Sequence, residues 1–264
     1  MNKKVKIIVA THKHSQMPTQ EIYVPIHVGA AISEVELGYE KDNSGDNISE
    51  LNPYFCELTG LYWAWKNLDY DYLGLVHYRR HFAIKNCSYN ENLSISDVVL
   101  NEEQLGKLLK KYDVLVPKKR KYYIESLYSH YAHTLDGTHL DKTRKIIEEI
   151  CPSYLEDYDK VMKKRSGYMF NMFIMKKDFV DSYLNWLFPI LNKLYEEIDL
   201  TNMTNFEARL FGRVSELLFN VWLKHNKVIA KEIPFIYFDK INKYDKVKSF
   251  LLAKFFGRKY GQSF

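Results

Sequence analysis

Short apolar runs rich in β-branched residues alternate with longer amphipathic segments along this chain of 264 residues. The first run covers residues 6–11, and similar runs follow at 72–77, 112–117 and 168–175. Each is short, ends at polar residues or proline, and is typical of a buried strand. The segments between them repeat apolar residues every three or four positions, as amphipathic helices do. This alternation predicts an α/β fold, with a mostly parallel central sheet flanked by helices.

Helical periodicity is clear in five segments. They are 49–68, 100–111, 140–150, 178–198 and 206–225. Residues 23–30 form a second extended segment, whereas 118–137 is polar, aromatic and rich in histidine. No repeat, low-complexity linker or compositional break divides the chain. We therefore predict a single domain over residues 1–237, followed by a basic tail over 238–264.

The composition indicates the broad class of the protein. Hydrophobic residues make up 46% of the sequence and charged residues 27%, which are ordinary values for a globular protein. No apolar run approaches the roughly 18 residues that a membrane-spanning helix needs. The first apolar run is too short for a signal peptide and is followed at once by polar residues. The 3 cysteines are widely spaced and fit neither a disulfide framework nor a metal site, so a cytoplasmic protein is expected.

Aromatic residues and positive charge are the two departures from an ordinary composition. Aromatic residues reach 15%, including 21 tyrosines, and such rings suit sites that stack on sugars or bases. A genome whose codons favour Tyr, Phe, Asn, Lys and Ile would produce the same bias. The net charge of +5 indicates an anionic partner. Nucleic acid is not expected to be that partner, because the basic residues are scattered and no recognition module is visible.

The strongest chemical motif follows the predicted strand at 72–77. There His77 is followed by Tyr78 and by two adjacent arginines, Arg79 and Arg80. Ligands bind at the carboxyl ends of strands in open α/β sheets, and arginine can hold phosphate oxygens through two hydrogen bonds. Because adjacent residues of an extended loop point apart, the two arginines need not reach the same phosphate. A structural network of ion pairs is the alternative interpretation.

A loop over residues 42–49 offers carboxylates and amides in the pattern Asp-Asn-x-x-Asp-Asn. Within it, Asp46 and Asn47 are candidates to bind ribose hydroxyls or the edge of a base. A calcium loop uses the same residue types, but the glutamate it requires at its twelfth position is missing here. A turn that leads into a helix capped by Ser49 is the structural alternative, and the two roles can coexist.

The segment 128–141 contains three histidines and two aspartates, among them His130, His133 and Asp136. Their spacing matches no standard zinc pattern. A metal site is therefore the least favoured interpretation, behind contact with substrate and a purely structural loop. The sequence also lacks a glycine-rich phosphate loop, a serine nucleophile elbow and an Asp-x-Asp motif after a buried strand.

Several stretches, in order along the chain, together resemble a family of bacterial capsular and exopolysaccharide glycosyltransferases long catalogued as a domain of unknown function. They lie at 27–30, 42–52, 56–67, 74–80, 128–131, 169–177 and 209–218. The most extensive are CELTGLYWAWKN at 56–67 and GLVHYRR at 74–80. The resemblance covers about residues 5–225 and implies a Rossmann-like domain of the GT-A type that uses a nucleotide-activated sugar.

The resemblance also implies substrates. Some relatives look like inverting galactofuranosyltransferases, so UDP-galactofuranose is the leading donor, and a glycan or lipid-linked saccharide is the expected acceptor. A catalytically inactive nucleotide-binding or scaffold subunit of a polysaccharide assembly complex is the alternative function. The sequence leaves the oligomeric state open.

On this basis the donor is expected near the end of the first strand and near the 42–49 loop. The residues expected to bind it are Thr11, His12, Lys13, Gly29, Asp46 and Asn47. GT-A enzymes usually hold a divalent ion on Asp-x-Asp at the position where His77, Arg79 and Arg80 stand here. Fixed positive charge can stabilise a departing diphosphate as an ion does. We therefore predict that these three residues stabilise the leaving group, and that no metal or other cofactor is obligatory.

An inverting transfer also needs a base that deprotonates the acceptor hydroxyl. In similar folds this carboxylate follows the acceptor-side strand and its helix, which makes Glu207 the candidate by position. Glu216 lies further inside the same helix and is expected to pair with a neighbouring arginine. Asp136 and His133 are the rivals for the base, and a first-turn acid favoured by the helix dipole is the structural alternative for Glu207. Contacts with the acceptor are expected at His130, His133, Asp136 and Asn171.

The predicted tail combines many lysines with phenylalanines, and Val247, Leu251, Lys254 and Arg258 follow helical spacing. Basic groups beside aromatic rings suit a helix that lies on anionic lipid. Peripheral contact with the inner face of the cell membrane is therefore one expectation. A helix packed on the core of the domain is the other.

Overall fold

The computed structural model describes residues 3–86, 88–90 and 92–238. Its strands are β1 Val5–Thr11, β2 Tyr23–His27, β3 Glu40–Lys41, β4 Tyr72–His77, β5 Arg80–Phe82, β6 Val114–Pro117, β7 Arg120–Lys121, β8 Ser166–Gly167, β9 Phe173–Lys176, β10 Lys231–Ile233 and β11 Phe235–Tyr237. Its helices are α1 Asn52–Phe55, α2 Leu58–Asn67, α3 Ile95–Val98, α4 Glu102–Leu109, α5 Leu127–Thr134, α6 Thr138–Ile150, α7 Leu155–Met162, α8 Lys177–Glu197, α9 Asn205–Ala208 and α10 Leu210–His225.

The main sheet has the strand order β10-β6-β9-β4-β1-β2-β3, and β5 and β11 extend it from β4. Neighbouring strands along this order are parallel, except that β9 runs antiparallel between β6 and β4. The register pairs Ala10 of β1 with His77 of β4, and Thr11 of β1 with His27 of β2. The carboxyl ends of β1, β2 and β4 therefore meet at one edge of the sheet.

Burial explains why these strands could be recognised from short apolar runs. Ile7, Ile8 and Val9 of β1 are completely buried, as expected for a parallel strand that is covered on both faces. Helices α2 and α8 pack on the sheet and on each other, and α10 packs on α7 and α8. Aromatic rings join these layers: the ring centroids of Phe173 in β9 and Phe219 in α10 are 5.8 Å apart. The predicted fold class is confirmed.

The helix predicted over 49–68 is interrupted, and this part of the prediction was wrong. Cys56 has φ 53° and ψ −129°, which ends α1 at Phe55. Helix α2 then starts at Leu58, and Glu57 lies at its N-terminus. The apolar spacing continues across the break, so periodicity alone could not reveal it.

Two further predicted elements are also shorter than expected. In the segment 168–175 only the part from Phe173 onward is strand, because Phe170 and Asn171 have φ values of 78° and 52°. The segment 206–225 is divided at Arg209 into α9 and α10. The positive φ at Phe170 and Asn171 prevents a regular strand, whereas Arg209 leaves the helical conformation through its ψ of 12°.

The histidine-rich segment predicted as a loop contains helix α5. Ser126 caps this helix by accepting the N–H of Ser129, and the Ser129 hydroxyl accepts the N–H of Ser126 in return.

The tail from residue 239 onward lies outside the described residues, so its membrane contact stays a prediction. None of the helices in the described part of the chain combines the length and apolar character needed to span a bilayer.

Candidate active site

A cavity of about 1220 Å³ lies at the edge of the sheet where β1, β2 and β4 end. Ala10 of β1, Val28 after β2 and His77 of β4 contribute to its wall. The turn at Cys56 and the start of α10 at Gly212 form other parts of that wall. Since ligands of open α/β sheets bind at the carboxyl ends of the strands, this cavity is the candidate active site.

Positive side chains dominate the cavity. They are Arg79, Arg80, Arg120, Lys121, Arg209 and Arg213. Among the described residues, Glu57 and Glu216 supply the carboxylates in its lining. An excess of arginine over carboxylate favours a ligand with several negative charges, such as a diphosphate.

Two aromatic rings hold the Arg80 side chain in place. Its guanidinium carbon lies 4.8 Å from the centroid of the Phe170 ring and 5.0 Å from that of Tyr237. The Nε atom of Arg80 is buried and has no hydrogen-bond acceptor within the described residues. A buried donor without an acceptor is unfavourable and rare in folded proteins, which marks Arg80 as a residue with a role beyond packing.

His77 is oriented by the backbone of Phe170. Its Nε2 atom lies 2.6 Å from the carbonyl oxygen of Phe170. A carbonyl can only accept a hydrogen bond, so the ring must carry a proton on Nε2. Burial lowers the pKa of His77 below its ordinary value of 6.5, and the charge of nearby Arg80 acts in the same direction, although Glu57 opposes it. The ring is therefore neutral at pH 7, and the positive charge of this motif resides on its arginines.

Both carboxylates of the cavity lie close to the turn at Phe170 and Asn171. The Asn171 amide nitrogen donates to Glu57 Oε1 at 2.7 Å and to the Gly212 carbonyl at 2.9 Å. The Ser215 hydroxyl donates to Asn171 Oδ1 at 2.9 Å. Glu216 lies beside the same turn, since the backbone of Phe170 lowers the pKa of its carboxyl group. This turn thus holds Glu57 and lies beside Glu216.

The two carboxylates also influence each other electrostatically. Burial raises the pKa of Glu216 to about 7, and the negative charge of Glu57 adds to this rise. Arg213 and Arg80 oppose it, so the expected effect of a neighbouring arginine on Glu216 is present but outweighed. A neighbouring negative charge disfavours ionisation of a carboxyl group, so Glu216 keeps its proton to a higher pH than an isolated glutamate does.

Comparison with known proteins gives a family. A family model described as a domain of unknown function, DUF4422, matches residues 6–227. The chain belongs to the DUF4422 family. A solved apo structure of WbbM, a bifunctional glycosyltransferase, is similar to it with 33% sequence identity and a TM-score of 0.81. The match covers 89% of this chain but 45% of the WbbM chain. A search of curated proteins gave no match.

The three donor residues predicted at the end of β1 in this DUF4422 chain differ from one another in their position relative to the cavity. His12 lines the cavity, and its ring centroid is 5.3 Å from that of Tyr78 in an edge-on contact. The Thr11 side chain is buried and donates to the Lys13 carbonyl at 2.6 Å. The Lys13 ammonium lies 5.1 Å from the centroid of the Tyr78 ring. His12 is therefore the member of this trio that reaches the cavity lining.

Gly29 and the 42–49 loop are organised around Asp42, which is completely buried. Its carboxylate accepts the N–H of Gly29 at 2.9 Å and that of Ala30 at 3.0 Å. It also accepts the hydroxyls of Ser49 and Thr59. Gly29 has φ 71°, and a Cβ atom there would lie 2.7 Å from the Asn52 side chain. These contacts give Gly29 a structural role; its predicted contact with the donor stays a prediction.

Asp46 and Asn47 belong to a turn held against helix α2. The Tyr62 hydroxyl donates to the Asp46 carboxylate at 3.1 Å. The Asn47 amide donates to the Gly45 carbonyl at 3.0 Å, and its Oδ1 accepts the N–H of Ser49. The turn that was the structural alternative is thus present. The cap predicted at Ser49 was wrong, because Ser49 lies inside the short helical turn 49–51 and its hydroxyl donates to Asp42. Binding of the donor by Asp46 and Asn47 stays a prediction.

The predicted acceptor residues are brought together only in part. His130 lines the cavity, and its Nδ1 donates to Glu125 at 2.8 Å. His133 donates to the other oxygen of the same buried carboxylate, also at 2.8 Å. Asp136 accepts the N–H of Thr138 at 2.9 Å at the start of α6. Asn171 is buried and holds Glu57, so its amide positions a carboxylate.

Glu207 lies in the first turn of α9, where it forms a capping box with Thr204. Its carboxylate accepts the N–H of Thr204 at 3.0 Å and the Thr204 hydroxyl at 2.8 Å. Its neighbours Phe206 and Ala208 line the cavity. The structural role proposed as the alternative is thus present, and the assignment of Glu207 as base stays a prediction.

Sequence reasoning assigned no ligand-binding role to several residues of the cavity. Arg209 and Arg213 stand four residues apart, which places them on one side of a helix, and this spacing could have revealed them. Glu57 gave no such signal, because the helical pattern continues through it. In the described residues, no group of three His, Cys, Asp or Glu side chains is arranged to hold a metal ion.

His81 gives a testable effect of pH on stability. It is completely buried in β5, with ring centroids 6.3 Å from Tyr23 and 5.8 Å from Phe238. Burial lowers the pKa of His81 from 6.5 to about 3. Between these values the unfolded chain binds a proton that the folded chain does not, so the free energy of unfolding falls as the pH falls. One such group contributes about 1.4 kcal/mol per pH unit.

We therefore expect His81→Phe to reduce this slope by up to about 1.4 kcal/mol per pH unit below pH 6.5. Urea unfolding at several pH values between about 4.5 and 6.5 measures the slope. An unchanged slope in His81→Phe would contradict the assignment of a neutral, buried imidazole.

Proposed function

We propose that this protein is a glycosyltransferase that moves a sugar from a nucleotide diphosphate donor to a glycan or lipid-linked saccharide. The cavity at the carboxyl ends of β1, β2 and β4, with five arginines and a lysine beside two glutamates, is the observation that carries the proposal. The similarity to WbbM, itself described as a bifunctional glycosyltransferase, supports it. We further propose UDP-galactofuranose as the donor, inversion at the anomeric carbon, and a role in capsule or exopolysaccharide synthesis.

In this reaction the arginines stabilise the leaving group. As the bond between the sugar and the β-phosphate breaks, its electron pair moves to the diphosphate, whose negative charge increases. Arg79 and Arg80, at the end of β4, supply fixed positive charge and N–H donors for that charge. His77 keeps a neutral ring and a fixed tautomer beside them.

A divalent ion at the same place does not fit the residues present. Magnesium and manganese prefer carboxylate and other oxygen ligands. The end of β4 instead carries a histidine that donates to a backbone carbonyl, followed by two arginines. We therefore propose that the reaction proceeds without an obligatory metal ion.

Removal of metal ions by EDTA is expected to leave most of the activity intact, because the arginines supply the charge that an ion would otherwise provide. The measurement is UDP release in EDTA compared with release in the presence of magnesium or manganese. A strict requirement for either ion would contradict the proposed role of the arginines.

The function itself is tested with a panel of UDP-sugars that includes UDP-galactofuranose. Thermal shift detects binding, since a ligand at 100 times its dissociation constant adds about 2.7 kcal/mol of stability. A coupled assay detects slow release of UDP. Binding with turnover supports the proposal, binding without turnover supports the inactive subunit, and failure to bind any UDP-sugar would contradict both.

A further inference from the structure

Strained backbone is concentrated around the cavity. Among the described residues, the non-glycine positions with φ in the left-handed region are Cys56, Tyr123, Phe170, Asn171 and Lys227. Three of them, Cys56, Tyr123 and Phe170, line the cavity, and Asn171 donates to a carboxylate that lines it. Such backbone is unfavourable for residues with a Cβ atom and persists where surrounding contacts enforce it, which is typical of functional sites.

Two of these strained positions act on Glu57. Cys56 immediately precedes it and breaks the helix, so that Glu57 lies at the start of α2 in the cavity wall. Asn171 donates to its Oε1 at 2.7 Å. Asn171 is itself fixed by Gly212 and Ser215 of helix α10. Segments more than 100 residues apart in sequence thus converge to hold one carboxylate.

Glu57 lies in the cavity wall close to the end of β4, and its neighbours leave its carboxylate as the acceptor of a proton from a ligand. Its side chain is only 12% exposed, and His77 Nε2 lies 3.9 Å from its Oε1. The Nε2 proton of His77 is already donated to the Phe170 carbonyl. Asn171 is uncharged, so its hydrogen bond to Glu57 is not an ion pair. The neighbouring carboxyl group, Glu216, is the one whose protonation is favoured by burial and by the charge of Glu57. Glu216 therefore keeps a proton near neutral pH, and a carboxyl group that keeps its proton cannot act as the base.

We infer that Glu57 is the general base of the transfer and that Asn171 is its positioning residue. This inference rests on the proposed function. As the acceptor oxygen forms its bond to the anomeric carbon, its proton moves to the Glu57 carboxylate. The bond between that carbon and the β-phosphate oxygen breaks, and its electron pair leaves on UDP. Glu57 then releases the proton to solvent.

The test uses the full chain with UDP-galactofuranose and water as the acceptor. Glu57→Gln keeps the shape of the side chain, and Glu57→Ala opens space for a small anion. Both are expected to lower UDP release by about 10²-fold or more, the usual contribution of a general base. UDP affinity is expected to stay near that of wild type, because Glu57 acts on the acceptor. Glu50→Gln, an exposed glutamate seven residues earlier, is the matched control.

Azide separates a base from a residue that only supports the structure. Azide is already an anion and attacks without losing a proton, so it bypasses the base. Sodium azide is expected to restore UDP release in Glu57→Ala by at least about tenfold and to form a glycosyl azide. Asn171→Ala tests positioning, and its turnover is expected to fall. Azide is expected to restore it only partly, because the Glu57 carboxylate still occupies the site and repels the azide anion. Asn171→Asp is not used, since it would add a charge.

The outcomes are distinguishable from failure of the proposed function. A wild-type protein that neither binds nor hydrolyses any UDP-sugar would overturn both the function and this inference. Turnover by wild type that is retained in Glu57→Gln would overturn the inference alone. Loss of UDP release in Glu207→Gln but not in Glu57→Gln would also overturn the inference alone. So would a failure of azide to restore UDP release in a Glu57→Ala variant that is folded and binds UDP. If Glu57→Ala does not fold, Glu57→Gln serves as the test, provided that it is folded and binds UDP. Loss of its turnover would support the inference, and retained turnover would overturn it.

Discussion

Replacement of Arg80 by alanine is expected to lower turnover of UDP-galactofuranose by about 10²-fold or more. That is the usual loss when a fixed donor to a developing anion is removed. The side chain packs against the rings of Phe170 and Tyr237, and its buried Nε has no acceptor within the described residues. It is therefore already in place before the diphosphate gains charge. Steady-state release of UDP by the purified variant is the measurement, and Arg79→Ala is expected to show a loss of the same order.

Arg80→Lys is expected to recover little of the activity. Lysine keeps the charge but lacks the planar group that packs on aromatic rings and presents several donors to phosphate oxygens. Arg144→Ala is a suitable control, because Arg144 pairs with Asp159 at 2.8 Å and does not line the cavity. Near-normal turnover of Arg80→Ala would show that other groups stabilise the leaving diphosphate.

The second large effect concerns stability. Asp42→Ala is expected to lower the free energy of unfolding by about 3 kcal/mol or more, since it leaves several buried donors without an acceptor. Two of these are backbone N–H groups at Gly29 and Ala30, and two are the hydroxyls of Ser49 and Thr59. Urea unfolding of the variant and wild type at pH 7 measures the difference.

Asp46→Ala provides the matched control in the same loop. Asp46 is exposed, and its carboxylate accepts a hydrogen bond from the Tyr62 hydroxyl, so a small loss of about 1 kcal/mol is expected. If Asp42→Ala were no less stable than Asp46→Ala, Asp42 would not be the anchor of this loop. The same two variants also test the predicted binding of the donor: a fall in UDP affinity confined to Asp46→Ala would support it.

The part of the fold that could be predicted from sequence is the part governed by local patterns. The run at 72–77 is apolar because β4 is covered on both faces, so its burial is visible in consecutive residues. Its polar continuation, His77 to Arg80, follows directly at the carboxyl end, where the sheet places its ligands. For the same reason the arginines of this motif could be proposed as site residues before the structure was known.

The other half of the site depends on contacts between distant segments. The residue types in the 42–49 loop could not distinguish Asp42, which is buried, from Asp46, which is exposed. The left-handed backbone at Cys56 and Asn171 opposes the local preference of these residues and persists only in the folded chain.

The sequence by itself therefore determined the α/β class, the buried strands and the arginines at the end of β4. These follow from burial and spacing within short segments. Only the tertiary structure decided that the helical pattern would break at Cys56 and that Glu57 would contact Asn171, 114 positions further along the chain. The physical reason is that a strained backbone and a buried carboxylate are stabilised by long-range hydrogen bonds, and such bonds leave no local periodicity in the sequence.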